Sequence, residues 1–528
     1  MTSFRWLAAY AVVTFFAFPQ PIGGVVVDLG GALAWLAPAL LLLGVSDLEP
    51  RQAAKRGFLA GWLAHTAVLH WIWIVTVVYG HMHPALGVAG PLGLGAYLGL
   101  FGGAFAGIAA LLRRGAADAG RAAWLASPLL LGAVWAALDH LRSFLFTGFP
   151  WATLGYALHR NDPLLAWVPF AGVYGLSFVA AVGCASLARI WTWRRVDALA
   201  GSGLALVLAA HAGGLGLRAL EAPDPPETVR VAVLQGNIEQ GVKWSRDWYA
   251  RTLGIYEALS REAAARGAEV IVWPETAVPG WLGVDGTNGE PLQSLARETG
   301  AQLVVGAVGL ERASGEAYAR YFDSAFLVDP GGRFTDRYDK AHLVPFGEYL
   351  PFQDLLGRFF KAVARGIASA SVTAGPRARA VEIHAGEARL PVGVPICYEL
   401  LFPDLVRGFV SDGGELLFAI TNDAWYGRTG APFQFLAITA MRSAENRVWT
   451  ARAANTGVSA IIDARGRVRE RTAIFERDLL VADVPRRPAP MGGSFYARNG
   501  DWFAGACWLV TLAALGAARA RRRRDASG

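Results

Sequence analysis

The chain has 528 residues, of which 54% are hydrophobic and only 17% charged. Soluble domains average about 25% charged residues, so a soluble enzyme of this length is excluded, and 19 tryptophans exclude a disordered chain. The net charge of +7 does not mark a nucleic-acid binder either, because the arginines gather in short clusters beside apolar runs.

The first 220 residues form a string of such runs, near 5–20, 28–45, 57–79, 87–112, 123–139, 165–190 and 197–215, with a last one near 502–519. A helix needs ~20 apolar residues to cross ~30 Å of hydrocarbon, so about eight spans are expected. The first two runs are short and broken by Pro and Gly, which suits tilted or partly re-entrant segments. The first lacks a small-x-small cleavage site and is read as retained. With the N-terminus in the cytoplasm, Arg51/Lys55/Arg56, Arg113/Arg114/Arg121, Arg194/Arg195 and the arginines from Arg519 to Arg524 all fall on the cytoplasmic side. The opposite loops keep only Arg142 and Arg160. This orientation places residues 221–498 outside the cytoplasm.

A proline-rich linker at 221–228 opens a different composition. Runs at 229–237, 268–275, 301–309, 324–332, 390–399 and 415–423 are β-rich, with helical patterns at 244–266, 290–299 and 432–447 between several of them. Strands alternating with helices imply an α/β domain with buried sheets. The expected division is a membrane region at 1–220, an α/β domain at 221–498, and a final span with a basic tail at 499–528.

Three cysteines, Cys184, Cys397 and Cys507, exclude a disulfide framework or a cysteine-based zinc site. Only Cys397 has a polar context. It sits in GVPICYELLFPD (393–404), one of three stretches that each follow a strand; the others are VWPETAVP, with Glu275, and DRYDKAHLVPFGEYLP (336–351), with Lys340. Side chains just past strand ends converge on one crevice in α/β folds. A carboxylate, an ammonium and a thiol there form a nucleophilic machine: the carboxylate takes the thiol proton, and the ammonium stabilises thiolate and oxyanion. A nearby cation is expected to lower the cysteine pKa. Lysine occurs at only four positions against a large excess of arginine, which favours a specific need for a compact ammonium at 340. Taken singly, Cys397 also reads as a core thiol, Glu275 as a turn cap and Lys340 as a surface charge. Their joint occurrence favours the site.

WPE, DKxHLVPFGEYLP, CYE and TNDAWYG together resemble the carbon–nitrogen hydrolase (nitrilase) superfamily with its Glu-Lys-Cys triad. GFPWATLGYAL (148–158), LQGNIEQGVKW (234–244) and HLVPFGEYLPF (342–352) are similar to one membrane branch, the bacterial apolipoprotein N-acyltransferases. The resemblance implies a polytopic membrane region carrying a nitrilase-type αββα sandwich. It makes Glu275 the general base, Lys340 the oxyanion stabiliser and Cys397 the nucleophile. Glu348 would orient Lys340, Tyr398 and Glu399 would shape the site, and Trp244 would bind substrate unless it is a helix-start core residue. The implied reaction moves a fatty-acyl chain from a phospholipid to the N-terminal amine of a diacylglyceryl-apolipoprotein through a Cys397 thioester. It needs no cofactor, metal or nucleic acid. It implies a monomer in the bacterial inner membrane, with the catalytic domain in the periplasm. Tyr426 departs from the Phe expected in TNDAWYG.

Two rivals stand beside this reading. One is a membrane-tethered amidase or nitrilase using the same triad with water as acceptor. The other is a transporter with a relic domain, disfavoured because the spans hold few charges and no matched broken helices. Two further patterns are open. Asp139, His140 and Arg142 suit either a lipid head-group interface or plain helix-end hydration. Residues 352–366 place apolar side chains on one helical face, as a lid on the membrane surface or a helix packed on the domain core.

Overall fold

The computed structural model describes residues 2–117, 127–241, 246–283, 286–311, 320–349, 372–386, 388–486 and 493–525. Among these, four helices are long and apolar enough to cross a membrane: Pro84–Arg114, Val168–Trp193, Ala198–Ala219 and Trp502–Arg521. A fifth candidate, Pro50–Val68 followed by Ile72–Tyr79, bends by 64° at its break. Its far end, Val75–Tyr79, is π-helical. The other three expected spans fold as shorter pieces. Thr2–Phe16 has 15 residues, and Pro128–Leu141 has 14. The run at 28–45 divides into Gly30–Leu33 and Ala37–Gly44, the second opened by Pro38 at its first turn. Between the first two lies a small hairpin, Gln20–Ile22 with Val25–Val27, so the chain reverses where Pro19 and Pro21 preclude continued helix.

Pro50–Val68 and Ala89–Ala117 pack closely because both carry small residues at the contact. A Cβ at Gly57 would lie 2.5 Å from the Ala106 Cβ, and one at Gly99 only 2.8 Å from the Trp62 backbone nitrogen. Neither reading offered for Asp139 and Arg142 holds. Both are buried and form an ion pair of 3.2 Å, and Asp139 also accepts from Trp135 Nε1 and the Leu154 N–H. His140 faces Asp501 and Trp508 of the last helix.

The second half is a two-sheet sandwich. One sheet runs Asp478–Pro485, Thr228–Gln235, Val270–Val272, Gln302–Glu311, Arg320–Val328, Phe334–Asp339, with Trp281–Gly283 also on Gln302–Glu311. The other runs Val468–Arg471, Ala460–Ile462, Trp449–Ala454, Leu416–Thr421, Ala388–Gly393, Val381–Ala385. Each sheet has a parallel centre and antiparallel flanks. Strand alternation divides the first sheet's side chains: Val231, Val233, Val270 and Val272 face the second sheet, whereas Ala232, Leu234, Ile271 and Trp273 pack under the helices Arg246–Ala265 and Glu290–Thr299. The second sheet carries Pro403–Ser411 and Ala431–Asn446. The domain is therefore the expected αββα sandwich.

Its second helical layer docks on the membrane helices. The Val173 N–H donates to Glu445 at 2.8 Å, Trp151 Nε1 to Gln434 at 2.7 Å, and Arg442 to the Tyr156 hydroxyl at 3.0 Å. The proline-rich linker is fixed as well, because Glu221 pairs with Arg218, Arg447 and Arg465.

Candidate active site

Glu275 leaves the first sheet just past Val270–Val272. Its loop crosses the neighbouring strand so tightly that a Cβ at Gly306 would sit 2.2 Å from the Pro274 carbonyl oxygen. Only glycine at 306 allows that approach. Lys340 follows Phe334–Asp339 directly, with its N–H on the Asp323 carbonyl at 2.9 Å. The Lys340 side chain is fully buried. Its Nζ meets Glu348 at 2.6 Å, Glu275 at 3.1 Å and Asp323 at 3.2 Å. One carboxyl oxygen from each of these three acids lies within 4.8 Å of the other two, the spacing of a metal-ligand set. Here the cation among them is the ammonium of Lys340 itself.

Cys397 opens a short 3-10 helix, Cys397–Leu401, with φ at +46°. A non-glycine residue in that region is strained, and such strain gathers at functional sites. Glu399 holds the turn. One of its oxygens accepts from the Tyr338 hydroxyl and the N–H groups of Ala341 and His342, and the other from the Ile396 N–H. A single buried carboxylate thus joins the lysine loop to the cysteine turn. Tyr398 reaches the other way, donating its hydroxyl to the Gly148 carbonyl at 3.0 Å. The GFPWATLGYAL stretch therefore touches the residue beside Cys397.

The electrostatics follow from burial and neighbours. Burial works against the Lys340 ammonium, but Glu348, Glu275 and Asp323 together push its pKa well above the usual lysine value. The Cys397 thiol is pushed up, contrary to expectation, because burial and the Glu275 carboxylate outweigh the pull of Lys340. That direction favours the thiol over the thiolate at Cys397. His342 is held down at about 4 by burial and by Lys340.

The structure brings together five of the residues singled out from sequence around Lys340 or its loop: Glu275, Lys340, Glu348, Tyr398 and Glu399. Cys397 stands at the same turn, close enough to feel both Glu275 and Lys340. Trp244 and the amphipathic stretch 352–366 lie outside the described residues. Asp323 was not anticipated. It stands inside the strand Arg320–Val328, and its only sequence signal is a charge within an apolar run. Asn422 lies within the TNDAWYG motif. Its N–H donates to the second Glu275 oxygen at 2.7 Å, while its side chain bonds Gln240 and Asn455.

Comparison with known proteins agrees with both halves. The carbon-nitrogen hydrolase model matches residues 230–488, and that of the apolipoprotein N-acyltransferase N-terminal domain matches residues 10–186. An apolipoprotein N-acyltransferase of Geobacter metallireducens is 40% identical over 504 residues, 93% of this chain and 92% of that protein. Another from Azotobacter vinelandii is 35% identical over 505 residues, 93% of this chain and 91% of that one. Among solved structures, a variant of the Nesterenkonia AN1 amidase from the nitrilase superfamily covers 54% of this chain and 100% of its own at 18% identity, with a TM-score of 0.39.

Proposed function

Because this chain belongs to the apolipoprotein N-acyltransferase family, we propose that it moves a fatty-acyl chain from a phospholipid to the N-terminal α-amine of an S-diacylglyceryl-cysteine apolipoprotein. The observation that carries the mechanism is the buried Lys340 ammonium between Glu275 and Glu348, beside a cysteine on a strained turn.

In the first half-reaction, Glu275 takes the Cys397 proton as sulfur attacks the phospholipid ester carbon. Lys340 and the Tyr398 N–H face the developing oxyanion. The tetrahedral adduct collapses, Glu275 returns the proton to the leaving oxygen, and a lysophospholipid departs from a Cys397 thioester. In the second, the lipoprotein amine attacks the thioester and passes its proton through Glu275 to sulfur, restoring the thiol.

Both substrates are anchored in lipid, so an active site fixed to the bilayer raises their effective concentration. The reading includes eight membrane passes. The three short helices support this, since Leu7, Leu41 and Val134 share an apolar core with Phe105 and Ala514 of long ones. It also puts the sandwich on the periplasmic face of the inner membrane, on the strength of the basic clusters and the positive-inside rule.

The test is intact mass of purified enzyme incubated with a defined phospholipid, beside Cys397→Ser. The expected result is an added acyl mass on the wild type only, discharged by a diacylglyceryl-cysteine peptide and slowly by water. Absence of that mass together with hydrolysis of small amides would replace this function with the amidase reading.

A further inference from the structure

Three carboxylates and one ammonium share a pocket that water barely reaches. With every acid ionised the group would carry two uncompensated negative charges, which burial makes prohibitively costly. One proton must remain, and the hydrogen bonds indicate where. Glu275 rests its second oxygen on the Asn422 N–H, and Glu348 rests its second oxygen on the Val344 N–H at 2.8 Å. Asp323, 6% exposed, has no such donor for Oδ1 among the described residues. Beside it lies a second acceptor, the Glu275 carboxylate, placed for a side-chain hydrogen bond between the two groups. Two acceptors become hydrogen-bonded only when a proton stands between them.

We propose that Asp323 is protonated in the resting enzyme and donates to Glu275, a positioning residue that keeps Glu275 ionised as base and aligns Lys340. The inference rests on the reading of Glu275 as the base. The Asp323 proton stays in place through the cycle, and the proton in transit moves from Cys397 sulfur to Glu275 and on to the leaving oxygen. Among the described residues, the charged and titratable groups that act most on Asp323 are Lys340, Glu275 and Glu348. Burial raises the Asp323 carboxyl well above its usual range despite the opposing pull of Lys340, and the two glutamates raise it further.

The experiment compares Asp323→Asn with Asp323→Leu. An asparagine reproduces a neutral donor and acceptor of the same shape, so acyl-enzyme formation should stay within about threefold of wild type. Leucine removes the donor, and the rate should fall about a hundredfold. A second readout needs no lipid: the rate of Cys397 alkylation by iodoacetamide against pH. Its acid limb should match wild type in Asp323→Asn and move up by about one pH unit in Asp323→Leu. An asparagine variant as impaired as the leucine variant would show that Asp323 acts as a charge, and overturn the proposal. So would a leucine variant that behaves like wild type.

If neither variant is recovered folded, infrared difference spectra of the unaltered enzyme upon Cys397 alkylation decide the question. A protonated-carboxyl band sensitive to isotopic labelling of aspartate supports the proposal, and its absence rejects it. A wild type that never gains acyl mass would instead defeat the proposed function, leaving the alkylation arm to judge Asp323 separately.

Discussion

In the proposed reaction the sulfur of Cys397 begins as a thiol, because the carboxylate that would serve as its base lies in the same pocket and opposes ionisation of a buried thiol. In that reaction Lys340 acts on the transition state more than on the resting thiol. Its ammonium meets three carboxyl groups at 2.6 to 3.2 Å, and a planar guanidinium has no equivalent geometry for such a site. Lys340→Arg is therefore expected to lower acyl-enzyme formation by about a thousandfold, measured by the rate of mass gain; retention of more than a tenth of the activity would contradict that role. Glu399 gives a pH-dependent prediction. Burial pushes its pKa up to about 7, yet as a carboxylate it accepts from four donors. Protonated, it would turn an O–H toward one of them, so activity should fall as pH drops through about 7. Stability moves the other way. The folded state keeps the Glu399 proton at pH values where the unfolded chain has released it, so stability declines as pH rises from the ordinary carboxylate range to about 7, then levels off. His342, held at about 4, contributes in the opposite sense below its unfolded value. Subtracting the thermal midpoints of Glu399→Gln from those of wild type isolates the glutamate, and a flat difference across pH 5 to 7 would refute the assignment. At this scale the sequence pointed to Glu275, Lys340 and Cys397, since each follows a strand, and the structure places Lys340 3.1 Å from Glu275. It hid Asp323, which lies within one, and it misjudged the sign of the thiol shift because burial cannot be read from neighbours in the chain.

Elements set how closely these residues meet. The loop that delivers Glu275 requires Gly306, where a Cβ would stand 2.2 Å from the Pro274 oxygen and 2.7 Å from the Glu275 Cα. Both are backbone atoms, so they cannot step aside as a flexible side chain would. Gly306→Ala should cost about 1–3 kcal/mol and displace Glu275, giving a larger loss in acyl-enzyme formation than in thermal midpoint would suggest. A variant with wild-type activity would show that the loop has another way to fit. The sandwich strands were legible because continuous apolar runs ended in Gly, Pro or Asp. Membrane helices were legible only where the run was long and unbroken. The run at 57–79 reads as one span, whereas the chain bends by 64° between Val68 and Ile72 and continues as a π-helix. That π-helical end lies against the catalytic domain, with Tyr79 meeting the Trp425 ring at 5.3 Å. Tertiary contact overrides local periodicity there, and a contact with a residue hundreds of positions away leaves no local trace.

The whole molecule depends on joining a lipid-facing bundle to a water-facing sandwich, and buried polar groups lie at that junction. The junction is built on Ala431–Asn446, whose side chains are nearly all buried. Arg442 and Glu445 form an ion pair of 3.0 Å with both side chains fully buried, and each also reaches the membrane half, Arg442 through the Tyr156 hydroxyl and Glu445 through the Val173 N–H. Their i, i+3 spacing is visible in sequence, but so is that of many exposed pairs; the burial comes from the docked bundle. Removing one partner leaves the other charge uncompensated, so Arg442→Leu or Glu445→Leu alone should cost about 3–5 kcal/mol. Removing both abolishes that penalty and leaves the Val173 N–H without its acceptor, a cost of about 1–3 kcal/mol. The double variant should therefore melt above either single one in detergent. Acyl-enzyme formation should follow the same order, because Tyr398 lies between Cys397 and the Gly148 carbonyl of the membrane half, and any shift of the docking reaches the nucleophile through it. Additive losses in the double variant would mean that the two charges act separately and that the junction is held by its apolar contacts alone.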